Sequence, residues 1–275
     1  MTSRALILFV ALATVFLYAA WSRGQGTVAA GFPGDPAPPK EGEPRPVVVE
    51  LFTSEGCSSC PPADALLIRL ETGQSVEGAE IIALGFHVDY WNYIGWTDRF
   101  SSAEFSERQR QYAEVFDTNT VYTPQMVVDG QAEFVGSDGR RAAAVIAQAA
   151  QSRKARLELA VAAAETSRLK LQARVSELPR APAGSARELW VAVTEANLSS
   201  NASRGENSGR RLEHTAVVRD LRRVARVEPG KESTQEFEVK LASDWKRENL
   251  RIVAFVQERS SRRILGAAQV RLPAL

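Results

Sequence analysis

Cys57 and Cys60 are the only cysteines of the chain, and they stand two residues apart where an apolar run gives way to helical spacing. The run Val47-Val48-Val49-Glu50-Leu51-Phe52 reads as a buried strand, and Asp64-Ala65-Leu66-Leu67-Ile68-Arg69-Leu70 repeats its apolar residues with a helical period. Between them the chain must end a strand, turn, and start a helix. Pro61 and Pro62 constrain that start: they cost nothing only in the first helical turn, where the backbone amides are unpaired anyway. A helix begun at Cys57 would be kinked by them. The regular helix is therefore predicted to begin near Cys60, with Cys57 in the loop before it. Thiols so placed suit thiol–disulfide exchange, one thiolate attacking and its neighbour resolving the mixed disulfide. As a staple the pair is poor, since closing so short a loop is worth only about 2 kcal/mol. An oxidised pair without turnover is the bland alternative.

The first residues shape the setting of that chemistry. Arg4 precedes an apolar stretch from Ala5 to Trp21, followed by small and polar residues, the form of a bacterial secretory signal. Val28-Ala29-Ala30 offers a cleavage site; uncleaved, the same stretch is a short N-terminal anchor and a membrane tether. Residues 1–22 are thus expected to direct export to the periplasm or the cell exterior. There a close thiol pair is oxidised unless something reduces it. Residues 23–46, dense in Pro and Gly, read as a linker. With 34 basic against 33 acidic residues and a net charge of +1, the chain gives no electrostatic case for nucleic acid.

From Val47 to about Arg153 strand-like and helix-like segments alternate. Ile81 to Val88 is a second apolar run, and Ser102 to Phe116 is helical, with Phe105, Tyr112, Val115 and Phe116 on one face. Gln125 to Phe134 is predicted to be a hairpin, because Asp129-Gly130 between apolar strands is a strong turn signal. Ser137 or Asp138 can cap a last helix over Arg140–Gln151. The order strand, helix, strand, helix, strand, strand, helix, with the cysteines after the first strand, is that of a thioredoxin-like α/β domain, expected over 47–153. From Arg156 the texture turns to alternation: Leu157, Leu159, Val161; Leu169, Leu171, Ala173; then runs at 189–194, 215–221, 236–241, 250–257 and 264–272. About seven short strands argue an all-β sandwich domain over 154–275. Ser199 to Arg211 reads as a polar loop.

Several motifs, in order, resemble a bacterial secreted family called domain of unknown function 1223. They are Glu50 through Asp64 around the cysteines, His87-Val88-Asp89-Tyr90-Trp91 with Gly95-Trp96, Arg108-Gln109 with Tyr112, and Tyr122-Thr123-Pro124-Gln125. Glu206 through Leu212 with His214 and Val217-Val218-Arg219 extend the likeness into the C-terminal half. The resemblance implies a thioredoxin-like fold and export, and no substrate.

Within this frame Cys57 is the expected nucleophile and Cys60 the resolving thiol. Thr123-Pro124 precedes the hairpin where thioredoxin-like domains carry a cis proline facing the cysteines, so these two residues are expected to shape a substrate groove. His87, Asp89, Tyr90, Trp91, Tyr93 and Trp96 form the densest aromatic segment. Asp89 and Trp91 are its candidates for substrate contact, while His87 reads better as a hydrogen-bonded core residue and His214 as a strand residue. Cu(I) on the thiolates with Met126 or His87 is a third, weaker alternative; no cofactor or metal ion is otherwise expected. The function expected is that of an exported thiol–disulfide oxidoreductase acting on thiol- or disulfide-bearing envelope proteins or small thiols. The alternative from another class is a non-catalytic envelope binding protein.

Overall fold

A computed structural model describes residues 43–118, 120–179 and 185–272. The proposed signal or anchor over 1–22 and nearly all of the 23–46 linker lie outside the described residues. The N-terminal half runs β1 (Arg45–Thr53), α1 (Pro61–Gly73), β2 (Ala79–His87), α2 (Ala103–Val115), β3 (Gln125–Val128), β4 (Ala132–Val135) and α3 (Gly139–Ala150). Nine strands follow: β5 (Arg156–Ala164), β6 (Arg168–Ser176), β7 (Arg187–Glu195), β8 (Leu198–Asn201), β9 (Arg211–His214), β10 (Val217–Val227), β11 (Ser233–Lys240), β12 (Leu250–Glu258) and β13 (Ile264–Arg271). Among the described residues no helix is long and apolar enough to cross a membrane.

The local signals act as physics requires. Pro61 and Pro62 occupy the first two positions of α1, with Cys60 as its N-cap. The Ser102 side chain accepts from Glu104 N to cap α2, and Asp138 accepts from Arg141 N to cap α3. Asp129 and Gly130 turn the β3–β4 hairpin with positive φ at both residues, 49° and 66°, the signature of the tight primed turn. Gly130 is required twice over: a Cβ there would lie 1.9 Å from the Arg262 carbonyl oxygen.

The tertiary arrangement departs from expectation. Eight strands form one mixed sheet in the order β13-β12-β7-β10-β2-β1-β3-β4. β1 and β2 are parallel, Val47 opposite Ile81, while β3 runs antiparallel to β1. β10 joins β2 in parallel at Val217 opposite Gly85, and β7, β12 and β13 continue from β10 with antiparallel pairing. An α/β thioredoxin-like domain followed by an all-β sandwich domain is therefore not what the chain builds: one sheet takes strands from both halves. The cause lies in runs such as Leu189-Trp190-Val191-Ala192-Val193, apolar on both faces. These are the mark of central strands covered on both sides rather than of a half-exposed sandwich. β5, β6 and β11 stand apart as a three-stranded antiparallel sheet, and β8 and β9 as a two-stranded one.

Three cores result. Leu66, Leu67, Leu70 and Ile146 of α1 and α3 pack on Val47, Val49, Leu51, Ile81 and Met126. On the same face of the long sheet, Leu169, Leu171, Ala173 and Val175 of the small sheet meet Leu189, Val191, Val193, Ile252 and Ala254. Phe105 and Tyr112 of α2 cover the other face, against Val48, Phe52, Phe86, Val218 and Phe255. Arg108 is buried in this last core, where Nη2 reaches Glu50 Oε1 at 2.5 Å and Tyr112 Oη at 3.2 Å, and Nη1 reaches Gln257 Oε1 at 3.2 Å. Breaking such a pair by removing one partner strands a buried charge, so this network fixes β1, α2 and β12 relative to one another.

The polar segment 199–211 also differs from its reading as a plain loop. Its ends are β8 and β9, paired from Leu198 opposite His214 to Asn201 opposite Arg211. Only 202–210 loops out.

Candidate functional site

β1 ends at Thr53, and the turn that follows holds both cysteines against the start of α1. Cys57 N donates to Ser54 O, Cys60 N to Cys57 O, and Ala63 N and Asp64 N to Cys60 O. This ladder of short-range bonds brings the two Cα atoms to 5.4 Å, and Cys57 and Cys60 are joined in a disulfide. Both residues are fully buried. Ser59 Oγ lies 3.3 Å from Cys57 Sγ and 3.5 Å from the Thr123 carbonyl oxygen.

The Thr123-Pro124 bond is cis, and the Thr123 backbone faces the cysteine turn through Ser59. Trp91 joins the same locus, its Nε1 donating to Thr123 Oγ1 at 2.8 Å. Gly56 admits the tryptophan: a Cβ on Gly56 would stand 3.0 Å from Trp91 Cβ. Cys57, Cys60, Thr123, Pro124 and Trp91 are thus gathered at one turn. Asp89 is engaged elsewhere. Its carboxylate accepts from Ser106 Oγ at 2.5 Å, which ties the 88–98 segment to α2. At the tip of that segment a single 3-10 turn, Asn92–Ile94, leaves Tyr93 83% exposed.

Beneath the turn lies a cluster whose assembly the sequence motifs did not announce. It contains both histidines of the chain. His87 Nδ1 lies 2.6 Å from Asp98 Oδ2, and the same carboxylate oxygen accepts from Glu55 N at 2.9 Å. Glu55 Oε2 accepts from Trp96 Nε1 at 2.7 Å, and Oε1 stands 3.3 Å from His214 Nε2. The imidazoles meet edge to face with centroids 4.7 Å apart, and the Phe100 ring packs against each. Burial opposes the charged form of His87, but the Asp98 carboxylate outweighs it and holds the imidazole above its ordinary range. Burial likewise pushes Asp98 and Glu55 up, yet His87 and the backbone amides for the first, and His214 for the second, hold them below the usual carboxylate range. For Asp64, in the first turn of α1, burial outweighs the pull of His214 and His87 and pushes its carboxyl up. The rarity of histidine, two in 275 residues, is the one sequence signal that could have linked the two halves here. His214 comes from β9, far along the chain from its partner Glu55.

The 202–210 loop closes the site from above. Asn207 Nδ2 donates to both Glu55 O and Cys57 O at 2.9 Å, and Glu206 Oε2 accepts from Ser58 N at 3.0 Å. Among the described residues no group of three or more His, Cys, Asp or Glu side chains is placed to hold a metal ion. Met126 is packed into the α1–α3 core and His87 is turned to Asp98, so the residues considered for Cu(I) do not converge on the sulfurs.

Fold and site together define a mostly β protein built around a large mixed eight-stranded sheet, with an oxidised Cys-x-x-Cys at a strand-to-helix turn. The chain belongs to a family of proteins of unknown function, DUF1223, whose profile matches residues 48–257. A crystal structure of a protein from Agrobacterium tumefaciens is similar at 26% identity, with a TM-score of 0.61 over 85% of this chain and 99% of that one. HBP35 of Porphyromonas gingivalis shares 16% identity and a TM-score of 0.56 over 84% of this chain and 76% of its own, a likeness of fold alone. No curated protein matches the chain.

Proposed function

We propose that the protein is an exported thiol–disulfide oxidoreductase whose working group is the Cys57–Cys60 pair. The observation that carries this reading is the gathering of a bonded cysteine pair, the Thr123-Pro124 backbone and Trp91 around one turn. In the direction that uses the bonded form, a substrate thiolate attacks Cys57 Sγ and the Cys57–Cys60 bond breaks. Cys60 leaves as a thiolate and takes a proton. A second substrate thiolate then displaces Cys57 from the mixed disulfide, so two electrons reach the protein and the substrate leaves oxidised. The reverse sequence reduces a substrate disulfide. Thr123 and Pro124 would line the approach, with Trp91 beside them; Asp89, tied to Ser106, would position the aromatic segment. Partners would be thiol- or disulfide-bearing proteins of the cell envelope, reached through export directed by residues 1–22.

The complete burial of both sulfurs favours the second reading, a non-catalytic envelope binding protein whose disulfide is inert. Turnover separates the two. The oxidised protein is given a reduced dithiol protein, and the reduced protein a scrambled disulfide protein. The wild type should turn over in at least one direction, Cys57→Ser should be inactive, and Cys60→Ser should accumulate mixed disulfides. A wild type silent in both directions would establish the inert pair.

A further inference from the structure

Displacement of a disulfide requires the entering thiolate to reach a sulfur, and neither sulfur here has accessible surface. Something must move before any chemistry occurs. α1 and Pro124 are tied into the sheet and its core, and the 88–98 segment is held by the bond from Val88 N to Thr53 O and by Trp91 on Thr123. The 202–210 loop is different. Ser203, Arg204, Glu206, Ser208, Gly209 and Arg210 are exposed, and its grip on the turn consists of side-chain bonds. It can lift without breaking a strand of the long sheet.

The grip is nonetheless specific. Asn207 is 1% exposed, and its amide satisfies the two carbonyls on either side of Gly56. The Glu206 carboxylate, itself on the surface, takes the Ser58 amide. Below, Gly205 comes so near the aromatic segment that a Cβ would lie 3.1 Å from Trp96 Cβ. Lifting the loop uncovers two acceptors and one donor in a row beside the disulfide. Such groups are costly to leave unpaired away from water, so a ligand that replaces the loop is selected for the groups that match them.

We infer that the 202–210 loop sits in the protein's own polypeptide-binding site, and that the segment which displaces it to reach the disulfide carries a carboxylate next to a primary amide. A carboxylate of that segment takes the place of Glu206 on the Ser58 amide, and a neighbouring primary amide takes the place of Asn207 on the Glu55 and Cys57 carbonyls. This names the substrate class for the oxidoreductase reading, but the site itself requires no turnover.

The experiment uses the full oxidised chain and dithiothreitol. Its first thiolate displaces one cysteine sulfur, its second closes the reagent's own ring, and two free thiols appear on the protein, counted by alkylation and mass. Glu206→Ala, at an exposed position, should raise the reduction rate at least threefold, and Asn207→Ala at least tenfold. A labelled peptide of the sequence of residues 202–210 should bind the Asn207→Ala protein. The same peptide with Gln in place of its Glu should bind at least fivefold more weakly. Should Asn207→Ala fail to fold by circular dichroism, Glu206→Ala carries both measurements. Reduction rates equal to wild type, or equal binding of the two peptides, would overturn the inference. Because dithiothreitol needs no catalysis, faster reduction in a protein silent in every turnover assay would keep the site and remove the oxidoreductase reading.

Discussion

At the residue scale the buried histidine–carboxylate cluster makes stability depend on pH, with a sign that can be worked out. The folded pKa of His87 is raised, so its contribution is fully present below about 6.5, the ordinary histidine value, and is lost as pH rises through the folded value. Asp64, also raised, has the same sign, but its contribution is full only below the ordinary aspartate value and falls as pH rises from there. Glu55 and Asp98 are lowered, so their contribution is present above the ordinary carboxylate range and is lost as pH falls from there through their lower folded values. The melting temperature should therefore be highest in mild acid, between those two limits, and fall on either side. Asp98→Asn removes the partner of His87 while keeping its shape. It should flatten the alkaline limb and cost roughly 3 kcal/mol or more below pH 6, as breaking a buried pair does. Thermal unfolding followed by circular dichroism across the pH range checks both statements. An alkaline limb unchanged in Asp98→Asn would mean that His87 is neutral throughout.

At the scale of elements, the β3–β4 hairpin offers the sharpest test. Gly130→Ala must hold a positive φ of 66° and also meet the Arg262 carbonyl. The backbone term alone costs about 1–3 kcal/mol, so chemical denaturation should show a loss of at least that size; a loss under 0.5 kcal/mol would show that the turn relaxes freely. The Asp-Gly turn was legible because its cause is local, as were the Pro61-Pro62 helix start and the caps at Ser102 and Asp138. The position of the two cysteines at the strand-to-helix turn, and of Thr123-Pro124 ahead of the hairpin, was legible for the same reason. Strand partnership was not. Alternation fixes which side chains share a face, but Val217 meeting Gly85 depends on a glycine that lets the Thr215 and Ala216 carbonyls close in. Nothing in a run of apolar residues states which neighbour it will have. The same limit hid Asn207, whose polar surroundings gave no reason to expect burial, and the bond that Ser106 gives to Asp89.

At the scale of the whole molecule, a fragment ending at Arg153 would be severed from the groups that complete it. Glu71 would lose Arg251 and Thr215, Arg108 would lose Gln257, Asp129 would lose Lys154, and Gly85 N would lose the Ala216 carbonyl. Each loss leaves a buried polar group short of a partner, and Phe86 and Phe105 lose the cover of Val218 and Phe255. Residues 46–153 expressed alone should bind hydrophobic dyes and lack a cooperative melt, while the full chain melts in one step. A cooperative transition in the fragment would show that its share of the sheet is self-sufficient. The placement of Asn207 also has a consequence in time. The amide that closes over the cysteine turn lies 150 residues after Cys57, and chains grow at about 5–20 residues per second. The two thiols thus emerge roughly 8–30 s before the loop that bonds to their turn. Until Glu206 and Asn207 are made, nothing among the described residues of the C-terminal half bonds to the cysteine turn.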